Sequence, residues 1–416
     1  MMKPSADEIV RLSAELLTRR FGGTQALSEV EELGGSGNAV VLRARVAPNP
    51  FLQQRSVVMK YIPATGEGID DVALVREVVA YQFTNSLSED VRPSPVLLAY
   101  DIDKRLIVLT DAGHSDTYEE LLAHSEPEFR RQLVRDLGQA IGKMHAGTAG
   151  REDDFNVLLG RMVKAHPDTA DLQDLRDMSL LASIDIGMDL LRSSGVAIPE
   201  VVEELAGQAK RRLSSGHHRA FTPFDLSPDN ILRAERTLFL DYEWAGFRDA
   251  TFDVACVIAG FPQFVSSQTI SDQETDAFVE AWSREVREIW PRVAETERLH
   301  SRIVAALIGW ALASVAYLYH GSMNQAVSVV SAVDSLDDFP EVEVEAALTA
   351  EVEEDFNLFT ASFLSTGTES GVLARRDLFE TFEALARFAQ RGGQSEMTAV
   401  RDFARSVSDQ LAIAEF

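Results

Sequence analysis

The stretch Ala220–Phe252, AFTPFDLSPDNILRAERTLFLDYEWAGFRDATF, decides how this chain reads. It is a turn-rich interruption in a sequence that is otherwise helical in pattern beyond residue 113. Phe221, Ile231, Leu232 and Leu238 to Leu240 predict short strands joined by turn-forming residues. A polar loop set into a helical scaffold is a common seat of chemistry. Within it, Asp225-Leu-Ser-Pro-Asp-Asn230 sets a carboxylate and an amide five residues apart, and Asp241 follows eleven residues later at the end of an apolar run. Each of these residues alone reads as a turn or a cap. Together they match what phosphoryl transfer requires. One carboxylate must orient an acceptor hydroxyl and take its proton, which assigns Asp225. Hard oxygen ligands must hold Mg²⁺ against nucleotide phosphates, which assigns Asn230 and Asp241.

Three upstream features point the same way. Gly34, Gly35, Ser36 and Gly37 precede a strand, and glycines there let backbone N–H groups approach phosphates closely. Lys60 interrupts the apolar strand Ser56–Ile62, within reach of α- and β-phosphates. Glu77 lies seventeen residues later on a helical pattern that includes Leu74, Val78 and Tyr81, placed to hold Lys60 by an ion pair. The order of glycine loop, strand Lys, helix Glu, D-x-x-x-x-N and strand Asp is far more specific than any one member. After a leading helix marked by Ser5, Glu8 and the stripe Ile9, Leu12, Leu16 and Leu17, residues 1–112 read β-β-helix-β: Val40–Val46, Ser56–Ile62, Asp71–Leu87 and Leu106–Thr110.

With these motifs in place, the chain resembles the aminoglycoside phosphotransferase and choline kinase-like family of small-molecule kinases. FDLSPDNIL (Phe224–Leu232) resembles the family's catalytic loop, and FLDYEWAGFRDATFDVA (Phe239–Ala255) its metal-binding strand and following turn. The resemblance implies an α+β, bilobal, protein-kinase-like fold. It implies a small β-rich nucleotide lobe over residues 1–112 and a large helical lobe over residues 113–416 that carries the acceptor pocket. It implies ATP or GTP as donor, Mg²⁺ as cofactor and a small-molecule hydroxyl as acceptor, of aminoglycoside, sugar or amino-alcohol type. It also implies that Leu109 and Asp111, in LTDAG (Leu109–Gly113), belong to a hinge that meets the nucleobase, and that Asp253 braces the catalytic loop. KMHAG (Lys143–Gly147) resembles the helix end before the acceptor region. Two departures stand out. Pro223 occupies the place of the family's usual His, and Phe224 that of a small residue. The rival reading is a catalytically silent nucleotide-binding protein acting through partners.

Composition narrows the remainder. With 39 Lys and Arg against 66 Asp and Glu, the net charge of −27 repels phosphate backbones and anionic lipid, so neither nucleic acid nor a membrane is an expected partner. One cysteine, Cys256, excludes an intramolecular disulfide. The N-terminal segment has scattered charges where a secretion signal needs an apolar core, so a cytoplasmic protein is expected. Ile303–Tyr319 is apolar but rich in Ala, Gly and Ser, and reads as a buried helix. Further helices are expected over Phe129–His145, Leu172–Arg192, Val201–Leu213, Thr275–Trp290, Glu343–Phe363, Ala374–Gln390 and Glu396–Ala412, with a connector over Ala326–Glu341. His217 and His218 are expected at the surface. A protein kinase is disfavoured because only eleven residues separate Asp241 from Asp253, too few for an activation segment.

Overall fold

The structure, a computed structural model, describes residues 4–34, 39–64, 68–124, 126–263, 269–332, 340–350, 352 and 356–412. It opens with α1 (Ala6–Phe21), whose first turn is capped by the Ser5 hydroxyl accepting from the Glu8 N–H. Strands β1 (Leu27–Leu33), β2 (Val40–Val46) and β3 (Ser56–Tyr61) follow, then α2 (Gly68–Asn85), β4 (Leu97–Asp101) and β5 (Leu106–Thr110). The five strands form one antiparallel sheet in the order β1-β2-β3-β5-β4. The sequence reading found three of them. It did not read β1 or β4 as strands; β1 (LSEVEEL) is an acidic, largely exposed strand with no apolar alternation.

Alternation along β3 sorts its side chains by face. Val57, Met59 and Tyr61 pack against α1 in a small outer core with Leu42, Val108 and Leu17. Val58 and Lys60 therefore turn to the opposite face. Below that face lies α2, buried almost all round, its charged Arg76 and Glu77 included.

The rest of the chain is mainly helical. After β6 (Asp116–Thr117) come α3 (Tyr118–His124), α4 (Pro127–Thr148), α5 (Glu152–Ala165), α6 (Ala170–Ser193) and α7 (Glu200–Ser214). The polar interruption then forms β7 (Arg219–Thr222), β8 (Ile231–Arg233), β9 (Thr237–Phe239) and β10 (Gly246–Asp249). β7 pairs with β10, and β8 lies between β6 and β9. Helices α8 (Thr251–Ile258), α9 (Asp272–Val286), α10 (Thr296–His320), α11 (Met323–Ser331), α12 (Glu341–Thr349), α13 (Glu369–Ala389) and α14 (Ser395–Leu411) complete the chain.

The apolar stretch Ile303–Tyr319 is the middle of α10. That helix is long and apolar enough to cross a membrane, yet 83% of its most apolar window is buried in the protein. It serves as the central post of the helical region. Gly187 of α6 lets α10 approach so closely that a Cβ there would stand 1.8 Å from the Leu312 carbonyl oxygen. Several expected elements differ. Glu343–Phe363 is not one helix: α12 ends at Thr349 and short 3₁₀ turns occupy Leu358–Thr360 and Ser362–Leu364, the first capped by the Asn357 side chain. Helix α9 stops at Val286, short of Trp290 and Pro291. The connector expected over Ala326–Glu341 begins inside α11, and residues 333–339 lie outside the described residues.

Candidate active site

The loop that carries Asp225 and Asn230 hangs between β7 and β8, with both ends tied. β7 pairs with β10 through Thr222 opposite Gly246, and the Leu240 N–H donates to the Asn230 carbonyl at 2.9 Å. This last bond sets Asn230 beside the residue preceding Asp241. Phe224 and Asp241 are both non-glycine residues at positive φ, 68° and 58°. Such outliers cost energy and persist where their surroundings hold them. Phe224 is held by stacking on Trp310 (centroids 4.9 Å apart) and by the Arg248 guanidinium over its ring at 4.8 Å. The bulky ring at a position expected to be small thus becomes a packing anchor against α10.

Lys60 donates to both Glu77 oxygens, at 2.9 and 3.0 Å, and to Asp241 Oδ1 at 2.6 Å. Burial alone would lower the Lys60 ammonium, but Asp241 and Glu77 more than reverse this and hold it above its ordinary value. Burial pushes the Glu77 carboxyl up while Lys60 draws it back down. Lys60, Glu77, Leu109, Asp111, Gly34, Asn230 and Asp241 all border one cavity of about 880 Å³ between the sheet and the helical region. Gly35, Ser36 and Gly37 lie outside the described residues. The Asp111 carboxylate caps the Gly113 N–H and pairs with Arg43 Nε at 3.0 Å, while Arg43 also donates to the Gly113 carbonyl at 2.8 Å. Arg43 therefore ties the sheet to the segment that follows β5.

Asp225 borders a second cavity, of about 220 Å³, together with Phe224, Leu226 and Ser227 of the same loop. Burial first, then the charges of Glu243 and Asp241, push the Asp225 carboxyl up to about 7; the Ser227 N–H, donating at 3.2 Å, opposes this. The loop is thus a partition. Residues 225–227 face the smaller cavity, and residues 229 and 230 face the larger one.

Asp253 is fully buried behind the loop. Its Oδ2 lies 3.0 Å from His145 Nε2, and His145 Nδ1 accepts from Trp282 Nε1 at 2.9 Å, leaving the ring proton on Nε2 toward Asp253. Burial raises the Asp253 carboxyl, and His145 and the Phe224 N–H lower it. His145 belongs to the quoted KMHAG segment, but its role was not readable from sequence: its two partners lie 108 and 137 residues away. Glu243 was also missed. It stands two residues after Asp241, a spacing that could have flagged it. Burial and Asp241 raise its carboxyl, opposed by Arg176, which stacks 3.8 Å over Trp244. His218 is half-buried against Trp290 rather than at the surface, and burial lowers it to about 4; His217 is exposed as expected.

A family model described as "Phosphotransferase enzyme family" matches residues 73–296, more than half of the chain. The chain belongs to that family. The matched segment spans the partition loop and Asp241 and ends at the start of α10. No curated protein matches the sequence. Among solved structures, the chain is similar to a choline/ethanolamine kinase family protein from Mesorhizobium loti (16% identity, 96% of this chain and 99% of that one, TM-score 0.41). It is similar also to choline kinase from Cryptosporidium parvum (10% identity, 95% and 99%, TM-score 0.49) and to APH(2")-IIa in complex with gentamicin (12% identity, 86% and 99%, TM-score 0.39). With the family shown, the five-stranded antiparallel lobe and the helical remainder make an α+β fold of kinase type.

Proposed function

We propose that the chain moves the γ-phosphate of ATP or GTP to a hydroxyl of a small molecule in a Mg²⁺-dependent reaction. The observation that carries this reading is the partition: Asp225 faces one cavity while Asn230, Asp241 and Lys60 face the other. On this reading the nucleotide lies between an N-terminal lobe, residues 1–112, and a helical lobe, residues 113–416. A nucleoside-triphosphate donor fits a cytoplasmic enzyme.

The donor set suits the metal. Asn230 and Asp241 offer only hard oxygen ligands, held side by side by the β8–β9 pairing, which is the ligand chemistry Mg²⁺ takes. When bound, the metal supplies charge to the phosphate oxygens. The chain's own residues do the rest. Lys60, pinned by Glu77, presents a fixed cation toward the phosphates. Leu109 and the backbone beside Asp111 border the nucleobase end. Asp225 orients the acceptor hydroxyl and accepts its proton, and Asp253, oriented by His145, supports the loop from behind. Catalysis is then positioning plus electrostatics in a preformed site.

The test pairs nucleotide binding by calorimetry, with and without Mg²⁺, with acceptor-dependent release of nucleoside diphosphate. Asp225→Asn should bind nucleotide nearly as wild type and lose at least about 10²-fold in turnover, the low end for removing a general base. Asp241→Ala should lose the Mg²⁺ enhancement of binding. Full turnover by Asp225→Asn would remove the base assignment. Wild type that binds nucleotide yet transfers phosphate to nothing would leave the silent reading.

A further inference from the structure

One part of the acceptor side of the partition is walled by residues beyond the family-matched segment. Trp310 of α10 and Ser322, Met323 and Asn324 at the α10–α11 corner all border the 220 Å³ cavity. Gln263 borders the same cavity. Its backbone is at φ 72°, and its N–H donates to both oxygens of Asp377 of α13, at 3.2 and 3.0 Å. A helix 114 residues away thus fixes where Gln263 stands.

Two polar atoms in this cavity have no hydrogen-bond partner among the described residues although both are buried: Gln263 Nε2 and Asn324 Oδ1. The Asn324 side chain also lies near enough to Glu243 to help lower its carboxyl. A buried amide group left unpaired is destabilising, and such exceptions in a folded protein call for a reason. Here the reason is a group that arrives with the acceptor. One open atom accepts and the other donates, and exchanging O and N in either amide leaves the cavity lined by unsatisfied amide groups. A hydroxyl both donates and accepts, so it pairs with either atom. A protonated amine only donates, and a quaternary ammonium does neither. The cavity is also smaller than the ~300–1,000 Å³ that encloses a drug-sized ligand, and Trp244, Phe261 and Trp310 contribute aromatic side chains to its lining.

Resting on the phosphotransferase reading, we propose that Gln263 and Asn324 read a hydroxyl of the acceptor other than the one phosphorylated, and that the acceptor is a compact polyol of one sugar ring or less. These two residues set specificity, and Asp377 acts through Gln263 as a positioning residue.

The experiment screens pentoses, hexoses, pentitols and inositols against choline, ethanolamine and a multi-ring aminoglycoside, scored by acceptor-dependent release of nucleoside diphosphate. The best acceptor is then taken to Asn324→Leu and Gln263→Met, with nucleotide binding as the control for folding. A polyol should be the best acceptor, and each variant should raise its KM about tenfold or more with a smaller change in kcat. Preference for choline or the multi-ring aminoglycoside over every polyol overturns the proposal, as does an unchanged KM in both variants, which would leave the two amides satisfied by water. If no compound is phosphorylated and Asp225→Asn leaves slow nucleotide hydrolysis unaltered, the phosphotransferase reading itself fails. Transfer to a non-polyol leaves that reading standing and removes only this one.

Discussion

On the proposed role, an Asp225 carboxyl held at about 7 should make activity steeply dependent on pH near neutrality. An ordinary aspartate at 3.8 would be ionised at every pH from 6 to 8 and would give a flat profile. With the raised value, the ionised fraction goes from roughly a tenth at pH 6 to roughly nine tenths at pH 8, a change of about tenfold. The sign follows from the proposed role: the carboxylate is the form that would accept the hydroxyl proton, so kcat/KM should rise with pH across this window. The quantity to follow is kcat/KM for the nucleotide, which reports the enzyme before nucleotide and metal bind. Burial is the main cause of the raised value and Glu243 the next, so Glu243→Gln should move the acid limb down toward the ordinary carboxylate range. A wild-type profile flat between pH 6 and 8, or a limb that stays in place in Glu243→Gln, would refute the account of how this carboxylate is tuned.

Two further outcomes follow from the packing around the site. Asp377 is buried and pushed up to about 7 from 3.8. Its contribution to stability is therefore full below about pH 4 and is lost as pH rises toward 7, with a ceiling of about 4 kcal/mol. An asparagine there keeps an oxygen to accept the Gln263 N–H, so urea unfolding should find Asp377→Asn more stable than wild type at pH 8 and not at pH 4; an equal difference at both would contradict this. Gly187→Ala must push α6 away from the Leu312 carbonyl and should cost about 1–3 kcal/mol or more by the same assay. Gly160→Ala in α5, where a Cβ meets nothing within 4 Å, should be neutral or slightly stabilising; similar losses in both would show that the α6–α10 crossing is not the cause.

Much of the candidate site was legible because its signals are local. Asp225, Asn230 and Asp241 sit within seventeen residues, and strands and turns there announce themselves by composition. The Lys60–Glu77 pair was legible because strand and helix each present one side chain toward the same face by their own periods. Legibility failed where no local pattern exists. An exposed acidic strand such as β1 lacks alternation, and the His145–Asp253–Trp282 contact joins helices far apart in the chain.

The sequence by itself determined the order of the chemical groups, the β-rich beginning and the helical remainder, because hydrophobic period and turn chemistry act over a few residues. Only the tertiary structure decided which groups share a cavity. It brought Asp241 onto Lys60 across 181 residues, raised Asp225 by burying it near Glu243, and set Gln263 and Asn324 on the lining of one small cavity. Burial and long-range contact set those properties, and both are fixed by how helices from the whole length of the chain close around the loop.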